Sequence, residues 1–336
     1  MVPSLLATLF LGLSGPAADD ADPFHQFDFW LGEWSVNNRF LQPEAKWVDG
    51  GKAQARITPV LGGQAVFEEW SGKLTSGPVF GMSLRAWDPE DEEWVLLLNW
   101  PGAERTSFGI LRGNFRHGRG EFFSGSPENL TRYSFSDTLP GSIRWDSARS
   151  TDGGETWRTD WIMEFTRTAP AASSDAALFD VAWETEQARP LAGARELDFL
   201  VGSWSGVHRE LVGAEEWRES RAQYRAASFL KGWALVESLR IAPKEGPEQE
   251  RLTVRGFLPG APSWECWSLA RADTRLTSTR GSVEFAEGIF RGRDRNGPLE
   301  RRILLEDDDV VAIEEHRERN GTWSLQARTE LHRELR

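Results

Sequence analysis

An internal repeat is the feature of this sequence that most limits the folds it can adopt. Residues 27–35 read FDFWLGEWS, and residues 197–205 repeat the phrase as LDFLVGSWS. Further matching pairs follow in the same order along both halves, among them Glu68 with Glu237, Arg85 with Arg255, and Arg167 with Arg333. Matches that keep one order over this length indicate two tandem copies of one domain.

Each copy carries the pattern of short β-strands. Segments rich in Trp, Phe, Val and Leu are separated by turn residues, for example at 88–91, 117–118 and 152–154. This spacing predicts roughly eight to ten meandering strands in each copy. A closed antiparallel barrel is the expected arrangement, because closure leaves no exposed sheet edge. A flat sandwich is the alternative.

The repeat also sets the expected domain boundaries. We predict a first barrel over residues 22–168, a linker over 169–190 and a second barrel over 191–336. Within the linker, Leu178, Phe179, Ala182 and Trp183 share one face at helical spacing. They predict a short amphipathic helix that packs on a barrel, or alternatively one that only spaces the two domains.

The first 18 residues have the pattern of a signal peptide. An apolar run over residues 5–13 is followed by the small residues Ala17 and Ala18. Such a run is well short of the roughly 20 residues that span a bilayer. We therefore expect a secreted or periplasmic protein without a membrane span.

Charge and composition exclude several classes of function. The chain has 39 basic and 52 acidic residues, a formal net charge of −13, which argues against nucleic-acid binding. A single cysteine, Cys266, leaves no intrachain disulfide and no Cys-based metal site. The residues themselves predict no metal and no cofactor.

The start of each copy resembles the lipocalin and calycin group, whose first strand carries Gly-x-Trp. Here the motif is GEW at residues 32–34 and GSW at residues 202–204. The resemblance implies two tandem lipocalin-like (calycin) antiparallel barrels, an all-β fold. It further implies that a Trp closes the base of each barrel and that an Arg of the last strand lies across it, which assigns barrel closure to Trp34 with Arg167 and to Trp204 with Arg333.

The sequence also resembles a lipocalin-like family of unknown function. The first copy matches its opening at residues 28–34 (DFWLGEW) and its closing hairpin at residues 152–167. The second copy departs at Leu200 and Val201 and keeps only residues 320–323 of the closing hairpin. This resemblance implies a barrel and brings no established activity or catalytic residues. Some distantly related barrels bind haem through one histidine near the C-terminus, and that resemblance would make His332 or His316 the haem ligand here.

Repeated charged residues are the candidate ligand-binding groups. Strand alternation puts Arg85 on the same face as Ser83 and Trp87. If that face is the barrel interior, a cation and a carboxylate lie inside an aromatic-lined pocket, which suits an amphipathic ligand with an acidic head. The candidates are Glu68, Arg85 and Trp87 in the first copy and Glu237 and Arg255 in the second. A structural ion pair, or a position on the outer face, is the alternative.

Three functions compete at this point. The sequence favours a binding protein for a small hydrophobic or amphipathic molecule, because 17 tryptophans need a large core or an aromatic cavity. An enzyme that uses Glu68 and Glu237 as acid or base would need raised carboxylate pKa values in an open pocket. An interaction module would have two filled barrels that pack together and an exposed apolar patch that binds a partner.

Overall fold

The computed structural model describes residues 22–100, 108–171, 178–179 and 192–334. The predicted signal peptide and most of the predicted linker lie outside these residues. Over the described residues, strands form two closed antiparallel barrels, each built from ten strands. The predicted fold class is therefore confirmed, and the flat sandwich is not what the chain forms.

The first barrel is a meander in which each strand pairs with the next, and β1 closes the ring on β10. Its strands are β1 (Gly32–Leu41), β2 (Trp47–Val60), β3 (Ala65–Leu74), β4 (Gly77–Asp88), β5 (Glu93–Asn99), β6 (Gly109–Arg116), β7 (Arg119–Ser126), β8 (Asn129–Leu139), β9 (Ser142–Ser150) and β10 (Arg158–Ala169). Since every neighbour is a sequence neighbour except the closing pair, hairpins alone generate this topology.

The second barrel repeats the arrangement, with β11 closing on β20. Its strands are β11 (Gly202–Leu211), β12 (Trp217–Phe229), β13 (Ala234–Pro243), β14 (Gln249–Leu258), β15 (Ser263–Ala270), β16 (Asp273–Glu284), β17 (Glu287–Asp294), β18 (Gly297–Asp307), β19 (Val310–Arg319) and β20 (Thr322–Arg333). The two copies inferred from the repeat thus have one strand order.

Short 3-10 turns precede each barrel and cover one of its ends. They are Pro23–His25 and Asp28–Trp30 in the first copy and Ala192–Arg195 and Asp198–Leu200 in the second. In the first copy Phe27 and Trp30 are fully buried, and the Phe27 ring meets Trp94 edge-to-face at 4.7 Å between centroids. In the second copy Leu197 and Leu200 take these two places. We call this covered end the sealed end of each barrel.

The barrels pack against each other through the outer faces of β3–β5 and β13–β15. The shared core contains Phe67, Leu84 and Leu97 of the first barrel and Val236 and Val254 of the second. These strands are buried on both faces, because one face lines a barrel and the other meets the neighbouring barrel. Continuous buried runs such as the first six residues of β13 replace the usual alternation there.

Two equivalent turns join the barrels reciprocally. The 3-10 turn Leu61–Gly63, between β2 and β3, contacts β14 of the second barrel. Its counterpart Leu230–Gly232, between β12 and β13, contacts β4 of the first. The two copies therefore face one another across an approximate two-fold relation.

Only Leu178 and Phe179 of the predicted linker helix lie within the described residues. Both are helical, Leu178 is 2% exposed, and both pack into the core between the barrels. In the part of the chain that the structure describes, no helix is long and apolar enough to cross a membrane.

Candidate functional site

At the sealed end, an arginine of the last strand lies across the Gly-x-Trp tryptophan in both copies. The Arg167 guanidinium carbon is 4.1 Å from the Trp34 ring centroid, and Arg333 is 4.1 Å from that of Trp204. Arg333 also donates to the carbonyls of Val201 and Phe199, at 3.0 and 2.8 Å. A guanidinium over an indole stabilises by about 0.5–2 kcal/mol. These four side chains join the first and last strands of each barrel.

The repeated pair of the first barrel is buried directly beneath this seal. Arg85 Nη2 donates to Glu68 Oε2 at 3.1 Å, and Ser83 Oγ donates to the same oxygen at 2.7 Å. The guanidinium lies 3.5 Å from the Trp30 ring centroid. Burial raises the pKa of Glu68 despite the charge of Arg85, and burial lowers the pKa of Arg85 to about 9. Glu68 is only 4% exposed, so its carboxylate faces the barrel interior rather than solvent.

In the equivalent pair of the second barrel, the guanidinium contacts both oxygens of the carboxylate. Arg255 donates through Nε and Nη2 to the two carboxylate oxygens of Glu237, and through Nη1 to Cys266 Sγ at 3.1 Å. Burial alone would lower the pKa of Arg255. The negative charge of Glu237 outweighs this effect, so the pKa of Arg255 is raised. Trp87, the fifth candidate, packs partly buried against Trp94 near the sealed end. All five candidates thus lie inside or beside the sealed halves of the barrels.

The opposite half of the second barrel contains a cavity of about 170 Å³. Its deep wall carries two arginines, Arg251 of β14 and Arg301 of β18. Both lie near one carboxylate, Glu315 of β19, with Arg251 Nη1 at 3.4 Å and Arg301 Nε at 3.5 Å from its Oε2. These distances exceed the roughly 2.7–2.9 Å of a strong charged hydrogen bond.

The electrostatics of this deep wall leave its two cations incompletely compensated. Burial, followed by the charge of Arg251, lowers the pKa of Arg301 to about 10. Burial raises the pKa of Glu315, but the charges of Arg301 and Arg251 outweigh it, so that pKa is lowered overall. Glu315 also accepts a hydrogen bond from Arg317 at 3.1 Å, so its charge is shared further.

Two further carboxylates line the cavity and have cationic partners of their own. Arg218 donates from Nε and Nη2 to Glu210 Oε1, at 2.9 and 2.5 Å. Arg328 donates from Nη1 to Glu314 Oε1 at 2.6 Å. The arginines that bind these two carboxylates do not line the cavity, whereas Arg251 and Arg301 do.

Polar contacts connect the cavity to the sealed end of the same barrel. Arg301 Nη1 donates to Ser268 Oγ at 2.7 Å, and Ser268 Oγ lies 3.0 Å from Thr253 Oγ1. Thr253 precedes Arg255 by two positions on β14, so the two side chains share the inner face. This column of polar side chains fixes the position of Arg301.

The first barrel holds aromatic rings in the same region. Gly81 of the first copy is equivalent to Arg251 of the second, because each stands four residues before the arginine of the buried pair. Tyr133 of the first copy occupies the register position of Arg301. Four indoles cluster here, with centroids 5.2 Å apart for Trp70–Trp100 and Trp145–Trp161. A Cβ at position 81 would collide with the Trp100 ring, so glycine makes room for it. The two copies therefore share a sealed end and differ at the other.

His208 is a buried titratable group on the cavity wall. Its Nδ1 is 2.8 Å from Thr329 Oγ1, and burial, with a smaller contribution from Arg251, lowers its pKa to about 4. The unfolded chain has a histidine pKa of about 6.5, so the neutral ring stabilises the fold above that value. That stability is lost as pH falls through 6.5 towards 4.

We expect the free energy of unfolding to drop by about 2 kcal/mol between pH 7 and 5 through His208 alone. In a His208→Asn variant, which carries the residue of the first copy, this part of the pH dependence disappears. Urea denaturation at both pH values measures the difference. Equal pH dependence in both proteins would contradict the assignment.

The histidines considered for haem lie elsewhere. His316 Nε2 is 2.9 Å from Glu314 Oε2, and the His332 side chain is 60% exposed with Nε2 3.5 Å from Glu330. Neither lines the cavity of the second barrel. Among the described residues, no group of three or more His, Cys, Asp or Glu side chains could hold a metal ion. Sequence reasoning missed Arg251, Arg301, Glu315 and His208 because it gave weight to residues that both copies share.

Comparison with known proteins yields structural neighbours only. No protein-family model matches the chain, and no curated protein matches it either. The S-type phycobiliprotein lyase CpeS of Guillardia theta is similar over 45% of this chain and 95% of its own, with 11% identity and a TM-score of 0.34. Rv2717c of M. tuberculosis is similar over 43% of this chain and 99% of its own, with 15% identity and a TM-score of 0.34.

A third neighbour extends over both copies. It is a protein of unknown function of the DUF3598 family from Nostoc punctiforme, similar over 93% of this chain and 99% of its own, with 11% identity and a TM-score of 0.25. The barrels agree with the calycin-like architecture that the sequence resemblance implies.

Proposed function

We propose that the protein is a binding protein and that its second barrel holds a small amphipathic molecule with an acidic head. One observation carries this proposal: Arg251 and Arg301 line an internal cavity and share the single carboxylate of Glu315 at 3.4 and 3.5 Å. A carboxylate placed between the two guanidiniums would accept charged hydrogen bonds from both. It would also relieve the repulsion between Arg301, which is buried, and Arg251, which is partly exposed.

The rest of the cavity defines the ligand further. Ile241, Ile313 and Ala327 supply the apolar part of the cavity wall. A volume of about 170 Å³ is below the roughly 300 Å³ at which pockets for drug-sized molecules begin. The proposed ligand is accordingly a compact acid with a short aliphatic or aromatic body.

A second candidate site is the aromatic end of the first barrel. Trp100, Tyr133 and Trp161 are only partly buried there. One observation favours a ligand: Trp70 Nε1 is buried and, among the described residues, has no hydrogen-bond partner. A buried donor of this kind is costly unless an acceptor reaches it. An apolar ligand with one acceptor would fit this end, as the Trp-rich composition suggested.

Family and cellular location belong to the same proposal. The motifs at residues 28–34 and 152–167 support placing the chain with the lipocalin-like family of unknown function that they resemble. The apolar segment over residues 5–13 supports export to the periplasm or the medium.

The test begins with protein purified without denaturation. Native and denatured masses are compared, and any retained molecule is identified. Binding of straight-chain carboxylic acids from acetate to octanoate, and of benzoate, is then measured by calorimetry against the primary alcohols of equal length. We expect the acids to bind more tightly than the alcohols by about tenfold or more, because only the carboxylate of an acid accepts charged hydrogen bonds from both guanidiniums.

The alcohols are the matched control for the apolar part of the ligand. Equal binding of acids and alcohols, or retained cargo without an acidic group in the second barrel, would reject the acidic-head assignment. A crystal structure with the acid that binds most tightly would show whether its carboxylate lies between the two guanidiniums.

A further inference from the structure

A second, separate site is a groove of about 430 Å³ where the two barrels meet. The outer faces of β1–β4 form its floor, and the turn Leu230–Gly232 of the second barrel forms one wall. Its polar lining contains Lys52, Lys73 and Lys231 together with Ser and Gln side chains, and no acidic residue is part of the lining.

Lysine is rare in this chain, which makes the grouping unusual. Only five of the 39 basic residues are lysines, namely Lys46, Lys52, Lys73, Lys231 and Lys244. Three of the five meet in this one groove, in a protein of net charge −13. Elsewhere the chain uses arginine, so general solubility does not account for the three lysines.

Two of the lysines are placed at an energetic cost. Lys52 on β2 and Lys73 on β3 are direct register partners. Like charges directly opposite one another on antiparallel strands destabilise the pair. An anion between the two ammonium groups would turn this repulsion into attraction.

The third lysine adopts a strained backbone conformation. Lys231 has φ 57° and ψ 33°, in the left-handed region that favours glycine. The equivalent residue of the first copy is Gly62, with φ 67° and ψ 26°. The second copy thus keeps a lysine where its own duplicate shows that glycine fits. Backbone strain of this kind is concentrated at functional sites.

Neighbouring acids are engaged by another cation. Glu33 of β1 and Glu69 of β3 lie next to the groove along their strands. Arg56 is 3.6 Å from a Glu33 oxygen and 3.8 Å from a Glu69 oxygen. The lysine cluster is therefore not the counter-charge of these two carboxylates.

We propose that the groove binds a multiply charged phosphoryl oxyanion, held from one side by Lys52 and Lys73 and from the other by Lys231. Ammonium groups on flexible stems act as point charges and are common phosphate ligands. Ser35, Gln54 and Ser71 in the lining add hydrogen-bond donors for the outer oxygens. Because the ligand contacts both barrels, it would also hold them together.

The experiment measures pyrophosphate binding to the full protein by calorimetry at low ionic strength. Lys231→Gly is the decisive variant, because glycine relieves the left-handed strain. We expect it to weaken pyrophosphate binding by about tenfold while the protein melts at the same or a higher temperature. Lys46→Gln and Lys244→Gln are the matched controls, since these lysines are exposed and lie outside the groove.

One further measurement completes the test. Flotation with phosphatidic acid vesicles, whose headgroup is a phosphomonoester, separates the sources: recruitment that Lys231→Gly removes assigns a lipid headgroup, and binding of free pyrophosphate without recruitment assigns a soluble ligand. Either result supports the site. The proposal is overturned if neither ligand binds, if the control variants lose as much affinity as Lys231→Gly, or if Lys231→Gly leaves affinity unchanged.

Discussion

Replacing Arg251 and Arg301 together by methionine should abolish the binding of small carboxylates to the second barrel. Each charged hydrogen bond is worth about 1.5–3 kcal/mol, so either single substitution should weaken binding by about 10- to 100-fold. The free protein should remain folded, because Glu315 keeps its contact with Arg317, but it should be less stable than the wild type, since the two cations that lower the pKa of Glu315 are removed. Calorimetry with the tightest acid, and thermal melting without ligand, measure the two effects.

A matched control comes from the same barrel. The Arg280 side chain is 62% exposed and lies 3.7 Å from Glu265, away from the cavity, so Arg280→Met should leave binding unchanged. The binding of a neutral alcohol should not differ between the double variant and the wild type. If the double variant still prefers the acid over the alcohol, the head group is bound elsewhere.

The fold followed from the sequence because several independent signals agreed. The repeat, the strand spacing and the Gly-x-Trp starts at Gly32 and Gly202 all indicated two antiparallel barrels. The packing of the barrels against each other was expected only under the interaction-module hypothesis, although runs such as Val95–Leu98 in β5 carry a signal for it. Apolar residues without alternation indicate a strand covered on both faces, but a single sequence does not say what covers the outer one.

The proposed site uses the kind of chemistry expected from the sequence, but it consists of other residues. One arginine and one carboxylate for an acidic head were expected inside each barrel, and alternation correctly put Arg85 and Arg255 on inner faces. Those two are buried against Glu68 and Glu237, whereas the cavity lies at Arg251, two inward-facing positions before Arg255 on β14. The difference depends on which end of each barrel the N-terminal turns cover, and this is a property of the tertiary structure. Comparison of the two copies could have found the cavity, since Arg251 replaces Gly81.

Shared and unshared residues thus have different meanings in this duplicated chain. Residues that both copies keep, such as Trp34 and Trp204, lie at the sealed ends, where they join first and last strands. Residues that differ, such as Tyr133 and Arg301, face the other ends, where the two interiors diverge in chemistry. In this chain, shared residues therefore build the sealed ends, and the proposed binding site consists of residues that differ between the copies.

The buried pairs allow a second test with a large effect, this time on stability. Arg255→Met would leave the Glu237 carboxylate, 4% exposed, without the guanidinium that binds both its oxygens. Loss of one partner of a buried ion pair costs about 3–5 kcal/mol. We expect denaturation of this variant to begin in the second barrel, with faster amide hydrogen exchange in β13 and β14 than in β3 and β4.

Arg85→Met is the internal control, because the same substitution in the first barrel should cost less. Glu68 keeps the hydrogen bond from Ser83, and burial already raises its pKa, so without Arg85 the carboxyl group takes up a proton. A raised pKa means that the folded state binds this proton more tightly than the unfolded chain does. The stability deficit of Arg85→Met should therefore shrink as pH falls from 7 towards 5, as guanidinium denaturation at several pH values would show. A deficit that stays constant over this range would mean that Glu68 remains ionised without its partner, and that hydrogen bonding rather than the guanidinium charge keeps a carboxylate beneath the seal.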